Sequence, residues 1–279
     1  MRIAVSNIAW DVVEDETIAA LLQRYGVDAI DFAPSKYFPE PDVATTADMA
    51  RVKDWWARRG IEMTGMQSLL FGTTGLNVFG DDASRQAMLD HLGAVCRIGQ
   101  GTGATRLVFG SPKNRDRNGL DDEQAMEIAV GFFRRLGDLA AEQDVIVCLE
   151  PNPPRYGANF MTTSDETRRV VEAIAHPAIR MQLDSGAIAI NGETPFDVVR
   201  DCAAAIGHVH ASEPDLVTVG DGNCDHVATA RAVREFLPDH IVTIEMVATK
   251  DQPHHVSIER ALQTTVAHYG AAAAGAHNR

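Results

Sequence analysis

Val145-Ile146-Val147-Cys148-Leu149-Glu150 is a short apolar run that ends on a carboxylate, and Ile179-Arg180-Met181-Gln182-Leu183-Asp184 repeats that pattern further along. Between them lies a helical pattern over residues 164–175. It is opened by Thr163-Ser164-Asp165-Glu166, whose hydroxyls and carboxylates suit the first turn of a helix. Strand, helix and strand in that order read as one unit of a parallel sheet. Working outward, the same alternation recurs eight times. Strand-like runs fall at residues 3–7, 29–32, 62–67, 106–110, 145–150, 179–184, 207–210 and 240–245. Helical patterns fall at 17–25, 45–59, 83–99, 121–143, 164–175, 195–204, 226–236 and 256–269.

Eight strand–helix repeats within 279 residues predict an α/β fold of the (β/α)8 TIM-barrel class, for which about 250 residues is typical. An open, doubly wound sheet is the alternative, because periodicity does not by itself show closure. No linker or change of composition interrupts the alternation, so residues 1–270 are read as a single barrel domain and 271–279 as a flexible C-terminal tail. The glycine cluster at residues 99–103 follows a helix and precedes a strand, the reverse of a nucleotide-binding loop, and is read as a helix terminus and turn. The long connections at 68–82 and 111–120 both follow strands, the side on which barrels carry their active sites.

Composition narrows the partners. The formal charge of −14 repels nucleic acid and anionic membrane. No apolar run reaches the roughly 18 residues of a membrane span, and Met1 leads directly into a strand-like segment without a signal-peptide pattern. Cys96, Cys148, Cys202 and Cys224 fit no metal-ribbon spacing and read as reduced thiols. A cytoplasmic protein acting on a small molecule is the expectation.

The chemistry is concentrated at the ends of the last four strands. The fifth ends on Glu150, the sixth on Asp184, the seventh (His208-Val209-His210) on an imidazole and the eighth (Ile241-Val242-Thr243-Ile244-Glu245) on another carboxylate. Side chains alternate along a strand. With the bulky apolar residues facing the helices, the acids point down the barrel axis. Three carboxylates at one mouth would repel one another unless a cation neutralised them. Oxygen-rich ligation with one imidazole suits one divalent ion, Mn, Mg or Co, with Zn admissible. Singly, each has a structural reading: an acid at a strand end is often a helix N-cap, and a lone histidine here, as with His208, is often a core residue.

These residues resemble the sugar phosphate isomerase/epimerase superfamily of xylose isomerase-like barrels, which includes ketose 3-epimerases and inosose-processing enzymes. The carriers are Leu149-Glu150-Pro151-Asn152, Leu183-Asp184-Ser185-Gly186, His208-Val209-His210-Ala211-Ser212-Glu213, Ile244-Glu245 and Phe109-Gly110-Ser111-Pro112-Lys113-Asn114-Arg115. The resemblance implies that Glu150, Asp184, His210 and Glu245 are the metal ligands and that Glu150 and Glu245 are also the catalytic acid/base pair. It implies an isomerase or epimerase of a keto-sugar or sugar derivative, working by proton transfer through an enediolate that the metal stabilises. Ketose 3-epimerases place a His three residues after the sixth-strand Asp, where this chain has Ala187. They place an Arg shortly after the seventh strand, where it has Pro214, Asp215 and Leu216. The resemblance therefore stops short of a free ketohexose.

A carbohydrate site also needs contacts to the substrate. Lys113 and Arg115 follow the fourth strand and would bind a phosphate or a sugar-acid carboxylate. Trp10 would form an apolar wall against a sugar ring. Gln67, with Phe71, would line the mouth. Asn152, with Tyr156 and Asn159, would hydrogen-bond hydroxyls, and Glu213 would contact substrate or orient a ligand. In DNA-repair endonucleases sharing this barrel an Asp-x-His helps to hold extra zinc. Here Asp225 and His226 are adjacent, and Asp225 is read as an N-cap.

Three other functions use the same frame. A metal-dependent dehydratase of an inosose or keto-sugar shares the first proton transfer. An abasic-site endonuclease is opposed by the net charge. A catalytically silent sugar-binding barrel is opposed by the presence of both glutamates. Homo-oligomers are common among such barrels, and that analogy gives a homo-oligomer as the expected assembly.

Overall fold

The computed structural model describes residues 1–270, and the tail expected at 271–279 lies outside the described residues. Eight parallel strands close a barrel in sequence order: β1 (Ile3–Ser6), β2 (Ala29–Phe32), β3 (Glu62–Met66), β4 (Arg106–Phe109), β5 (Ile146–Leu149), β6 (Ile179–Asp184), β7 (Ile206–Ser212) and β8 (Val242–Glu245), with β8 pairing back onto β1. Closure settles the choice between barrel and open sheet, and it leaves no unpaired edge. The strands are buried on both faces, as parallel strands sheathed by helices must be, so they read as nearly continuous apolar runs.

The outer layer is α1 (Asp15–Arg24), α2 (Pro34–Tyr37), α3 (Thr46–Ala57), α4 (Asp82–Thr102), α5 (Asp122–Glu142), α6 (Ser164–Ile174), α7 (Ser185–Asn191), α8 (Pro195–Cys202), α9 (His226–Phe236) and α10 (His254–Tyr269). Sequence signals start several of them: Asp121 and Thr163 cap α5 and α6 through their side chains, and Asp225 caps α9 by accepting from Ala228 N at 2.8 Å. None of the helices among the described residues is long and apolar enough to cross a membrane.

Four local readings change. The helix expected to stop at residue 99 runs on through the glycine cluster to Thr102 and ends at Gly103, whose φ of 90° needs a glycine. β7 is longer than expected and carries the chain past His210 to Ser212. β5 stops one residue early, leaving Glu150 as the first loop residue, although its N–H still donates to Phe109 O at 3.1 Å. Two short helices, α2 and α7, were not read at all. Each lies directly behind a strand and is too short to show helical periodicity.

Candidate functional site

The last four strands deliver their polar ends to one place. Asp184 pairs in register with His210, and Ser212 pairs with Glu245. Donor atoms of Glu150, Asp184, His210 and Glu245 lie within 4.8 Å of one another, and all four residues are buried. His210 Nδ1 is 3.1 Å from Glu245 Oε2 and 4.0 Å from Glu150 Oε1. Neither ring nitrogen makes a hydrogen bond of acceptable geometry. A buried imidazole without a partner is costly, and a nitrogen lone pair facing three carboxylates is what a divalent cation would satisfy. The donor set therefore fits a metal: three carboxylates and one nitrogen, suited to Mn, Mg or Co and compatible with Zn.

Each glutamate is steadied by one amide. Gln67 donates to Glu245 Oε1 at 2.7 Å, and Asn152 donates to Glu150 Oε2 at 3.1 Å. Gly110, at the end of β4, leaves the space Glu150 fills, since a Cβ there would collide with Glu150 Oε2. Asp184 has both roles its position allows. Its Oδ1 accepts from Ala187 N at 2.6 Å, capping α7, and its Oδ2 accepts from Ser212 Oγ at 2.7 Å.

The electrostatics of these groups diverge. Burial, with the charges of Glu245 and Asp184, pushes the Glu150 carboxyl up to about 8. Burial and the Glu245 charge raise Asp184 to about 6. Burial disfavours a charged His210, but the Glu245 carboxylate beside it outweighs that, and the imidazole rises to about 9. Burial also works against Glu245, yet the His210 charge and the Gln67 amide hold it below the usual carboxylate range. At neutral pH the metal-free site thus stores protons on His210 and Glu150, and a bound cation must displace them. Metal affinity should therefore rise with pH through 7 to 9, by up to about tenfold per pH unit for each proton released. Calorimetric titration in two buffers of different ionisation enthalpy would count those protons, and a pH-independent affinity would refute the scheme.

A hub beneath the site was not foreseen. Asp31 on β2 is fully buried and accepts from Thr64 Oγ1 at 2.9 Å and Thr243 Oγ1 at 2.9 Å, and it lies 2.6 Å from His208 Nε2. His210 Nε2 is 4.0 Å from the same carboxylate. So His210 turns Nδ1 to the carboxylates above and Nε2 toward Asp31 below, and such a carboxylate behind an imidazole favours the ligating orientation. A register shift between Ile30 and Asp31, and Gly65 alongside, where a Cβ would lie 2.6 Å from Asp31 Oδ1, make room for it. The only local signal is an acid inside an apolar strand.

All eight strand-to-helix connections border a cavity of about 820 Å³ above the four donors. Gln67, Phe71, Lys113, Asn152, Tyr156 and Glu213 line it. Four expectations change. Trp10 does not face the cavity: it is fully buried, donates from Nε1 to Asp15 at 2.7 Å and packs edge-on against Trp56. Burying the ring while satisfying its N–H is the better use of an indole. Arg115 is not an open loop cation. It is fully buried beneath the site and donates to Glu150 O at 2.7 Å and Asn152 Oδ1 at 2.5 Å. Glu213 borders the cavity but spends its carboxylate on Gly220 N, Cys224 N and His226 Nε2, each at 3.0 Å. Against burial, these bonds hold it down at about 2. Asn159 bonds to Asp116 and the Arg117 N–H instead. The four cysteines are unpaired.

Known proteins resemble this chain in sequence and fold. D-psicose 3-epimerase of Enterocloster bolteae is 26% identical over 108 residues, a match spanning 39% of this chain and 36% of that enzyme. D-psicose 3-epimerase of Clostridium cellulolyticum H10, solved with D-tagatose, superposes with a TM-score of 0.81 over 97% of this chain and 100% of that one, at 16% identity. The 3-keto-D-glucoside 4-epimerase of E. coli superposes with a TM-score of 0.76 at 17% identity, over 95% of this chain and 99% of its own. At those identities the structural likeness is one of fold. The sequence model of the xylose isomerase-like TIM barrel matches residues 19–267, most of the chain. With its closed eight-stranded barrel, this chain belongs to the xylose isomerase-like TIM barrel family.

Proposed function

We propose that the chain is a divalent-metal-dependent isomerase or epimerase of a keto-sugar or sugar derivative. The observation that carries this reading is the pair of buried carboxylates, Glu150 and Glu245, at one cavity floor with proton affinities driven in opposite directions. Glu150, Asp184, His210 and Glu245 would hold one Mn, Mg or Co ion, with Zn admissible. When bound, the ion would polarise a substrate carbonyl and so acidify the neighbouring C–H.

The protein groups move the proton. Glu245, kept ionised, is the base for the carbon beside the carbonyl, and Glu150, the carboxylate with the higher proton affinity, takes up a proton from solvent and is the acid that returns one. β5 and β8 are not neighbours in the barrel, so the two carboxylates approach a ligand from different sides. Return to the opposite face of the same carbon yields an epimer, and return to the adjacent carbon an aldose–ketose isomer. Gln67, Asn152 and Lys113 border the same cavity and supply polar side chains for sugar hydroxyls. The named epimerases of similar fold support the reading.

Metal-loaded protein incubated with a panel of keto-sugars in deuterated water tests it. The expected result is one deuterium at a carbon next to the carbonyl of substrate and product. A panel in which nothing exchanges, with one metal bound per chain, would rule the activity out. An unsaturated product with loss of water would assign the dehydratase instead.

A further inference from the structure

The cavity is polar at its floor and apolar at its rim. Gln67, Glu150, Asp184 and Glu245 line the base, whereas Leu70, Phe71, Pro153, Leu216 and Val247 line the walls. At about 820 Å³ it lies in the upper part of the roughly 300–1,000 Å³ range of pockets that enclose drug-sized ligands. A single sugar ring over the four donors would leave the rim unfilled.

The rim is built rather than incidental. Among the described residues the exposed aromatics are Phe71, 74% exposed, and Tyr156, 38% exposed, and both border this cavity. Val247, 45% exposed, borders it too. Asp215 and Leu216 follow β7 with φ of 60° and 53°, a left-handed pair that aspartate tolerates and leucine rarely adopts. Leu216 is held there on both sides. Its N–H donates to Glu213 O at 3.0 Å, and its carbonyl accepts from Val247 N at 3.0 Å. Tyr156 Oη accepts from Asp215 N at 2.7 Å, which joins the β5 loop to the same wall. Across the mouth, Ser68, with φ of 56°, starts the turn that presents Phe71, whose N–H donates to Ser68 O at 3.0 Å. β3 and β7 are four strands apart in an eight-stranded barrel, so Phe71 and Leu216 stand on opposite walls.

We infer that this rim is a subsite for an apolar, ring-sized group, and that the substrate is a keto-sugar glycoside whose sugar lies on the floor while its aglycone lies between Phe71 and the Leu216–Val247 wall. The inference rests on the keto-sugar reading above for what occupies the floor. Apolar burial supplies the affinity, since an aromatic ring leaving water gains by the area it covers and by stacking on Phe71. The aglycone is uncharged in this scheme, because Phe71, Leu216 and Val247, the side chains that would flank it, are apolar.

Methyl and phenyl 3-keto-β-D-glucopyranoside, with the Mn-loaded protein in deuterated water, separate the possibilities. Methyl and phenyl β-D-glucopyranoside serve as unreactive ligands for calorimetry. The phenyl compounds are expected to show a KM or Kd about tenfold below the methyl ones. Phe71→Ala, at an exposed position, and Leu216→Asn, which tolerates left-handed backbone, should each bring the phenyl advantage below about threefold and leave the methyl values in place. Equal affinities for phenyl and methyl forms in the wild type overturn the subsite, whether or not deuterium exchanges. A phenyl preference unchanged in Phe71→Ala, with a change of oligomeric state instead, also overturns it, because a second copy then covers the ring. A phenyl preference without any exchange sustains the subsite and removes the epimerase reading.

Discussion

Glu245→Gln is expected to lower deuterium exchange into substrate and the formation of product together, by about 10²–10⁴-fold. Glutamine keeps the shape of the side chain and an oxygen for the Gln67 amide, which now donates to Glu245 Oε1 at 2.7 Å. What it removes is the proton acceptor and the negative charge 3.1 Å from His210. Glu150→Gln should behave differently in the direction in which Glu245 is the base. Product formation falls by a similar factor, but exchange into recovered substrate persists, because abstraction and return on one face need only Glu245. Rates must be taken per bound metal, since both residues are ligands. If the two variants lose exchange and product in equal measure, the division into base and acid is wrong. If either keeps wild-type rates at full metal content, the carboxylate pair is not the proton-transfer machinery.

Arg115→Met should be among the most destabilising single changes in the chain, at about 3–5 kcal/mol. The guanidinium is fully buried and spans Glu150 O and Asn152 Oδ1. Methionine fills much of the same volume but leaves both oxygens without donors in a dry interior. It also removes the cation behind Glu150. Burial pulls Arg115 down to about 10, but it stays charged at neutral pH. Because Asn152 in turn holds Glu150 Oε2 at 3.1 Å, loosening it should weaken metal binding as well as stability. Arg115→Lys is not a rescue, since an ammonium cannot reproduce two parallel contacts from one planar fork. Denaturant unfolding and a metal titration on the two variants check this. Unchanged stability in Arg115→Met would show that the bonds to Glu150 and Asn152 contribute nothing net.

Much of the site was legible because strand ends in a barrel obey a simple rule. Glu150, Asp184, His210 and Glu245 each follow alternating apolar residues, so the face they occupy and the mouth they share follow from the period of two. Gln67 and Asn152 were placed at the same mouth, but their partners were not visible: Gln67 meets a residue 178 positions away. Asp31 was missed altogether. A lone acid within Ala29-Ile30-Asp31-Phe32 carries no helical or strand signature, and the bulge that turns it inward is a property of the pairing with β3.

By itself, the sequence determined the strand–helix alternation and the four polar residues at the ends of β5 to β8, since these depend on periodicities that neighbouring residues carry among themselves, whereas closure into a barrel came from the pairing of β8 with β1. Tertiary structure alone decided the fates of Trp10, Arg115 and Glu213: the first packs against Trp56, the second pins the loop after β5, and the third anchors the loop before α9. All three follow strands on the side of the mouth. Whether a side chain there meets ligand or protein depends on how its loop runs and which distant donors and acceptors it meets. Burial drives such groups to satisfy one another first, and no local pattern records where those partners will be.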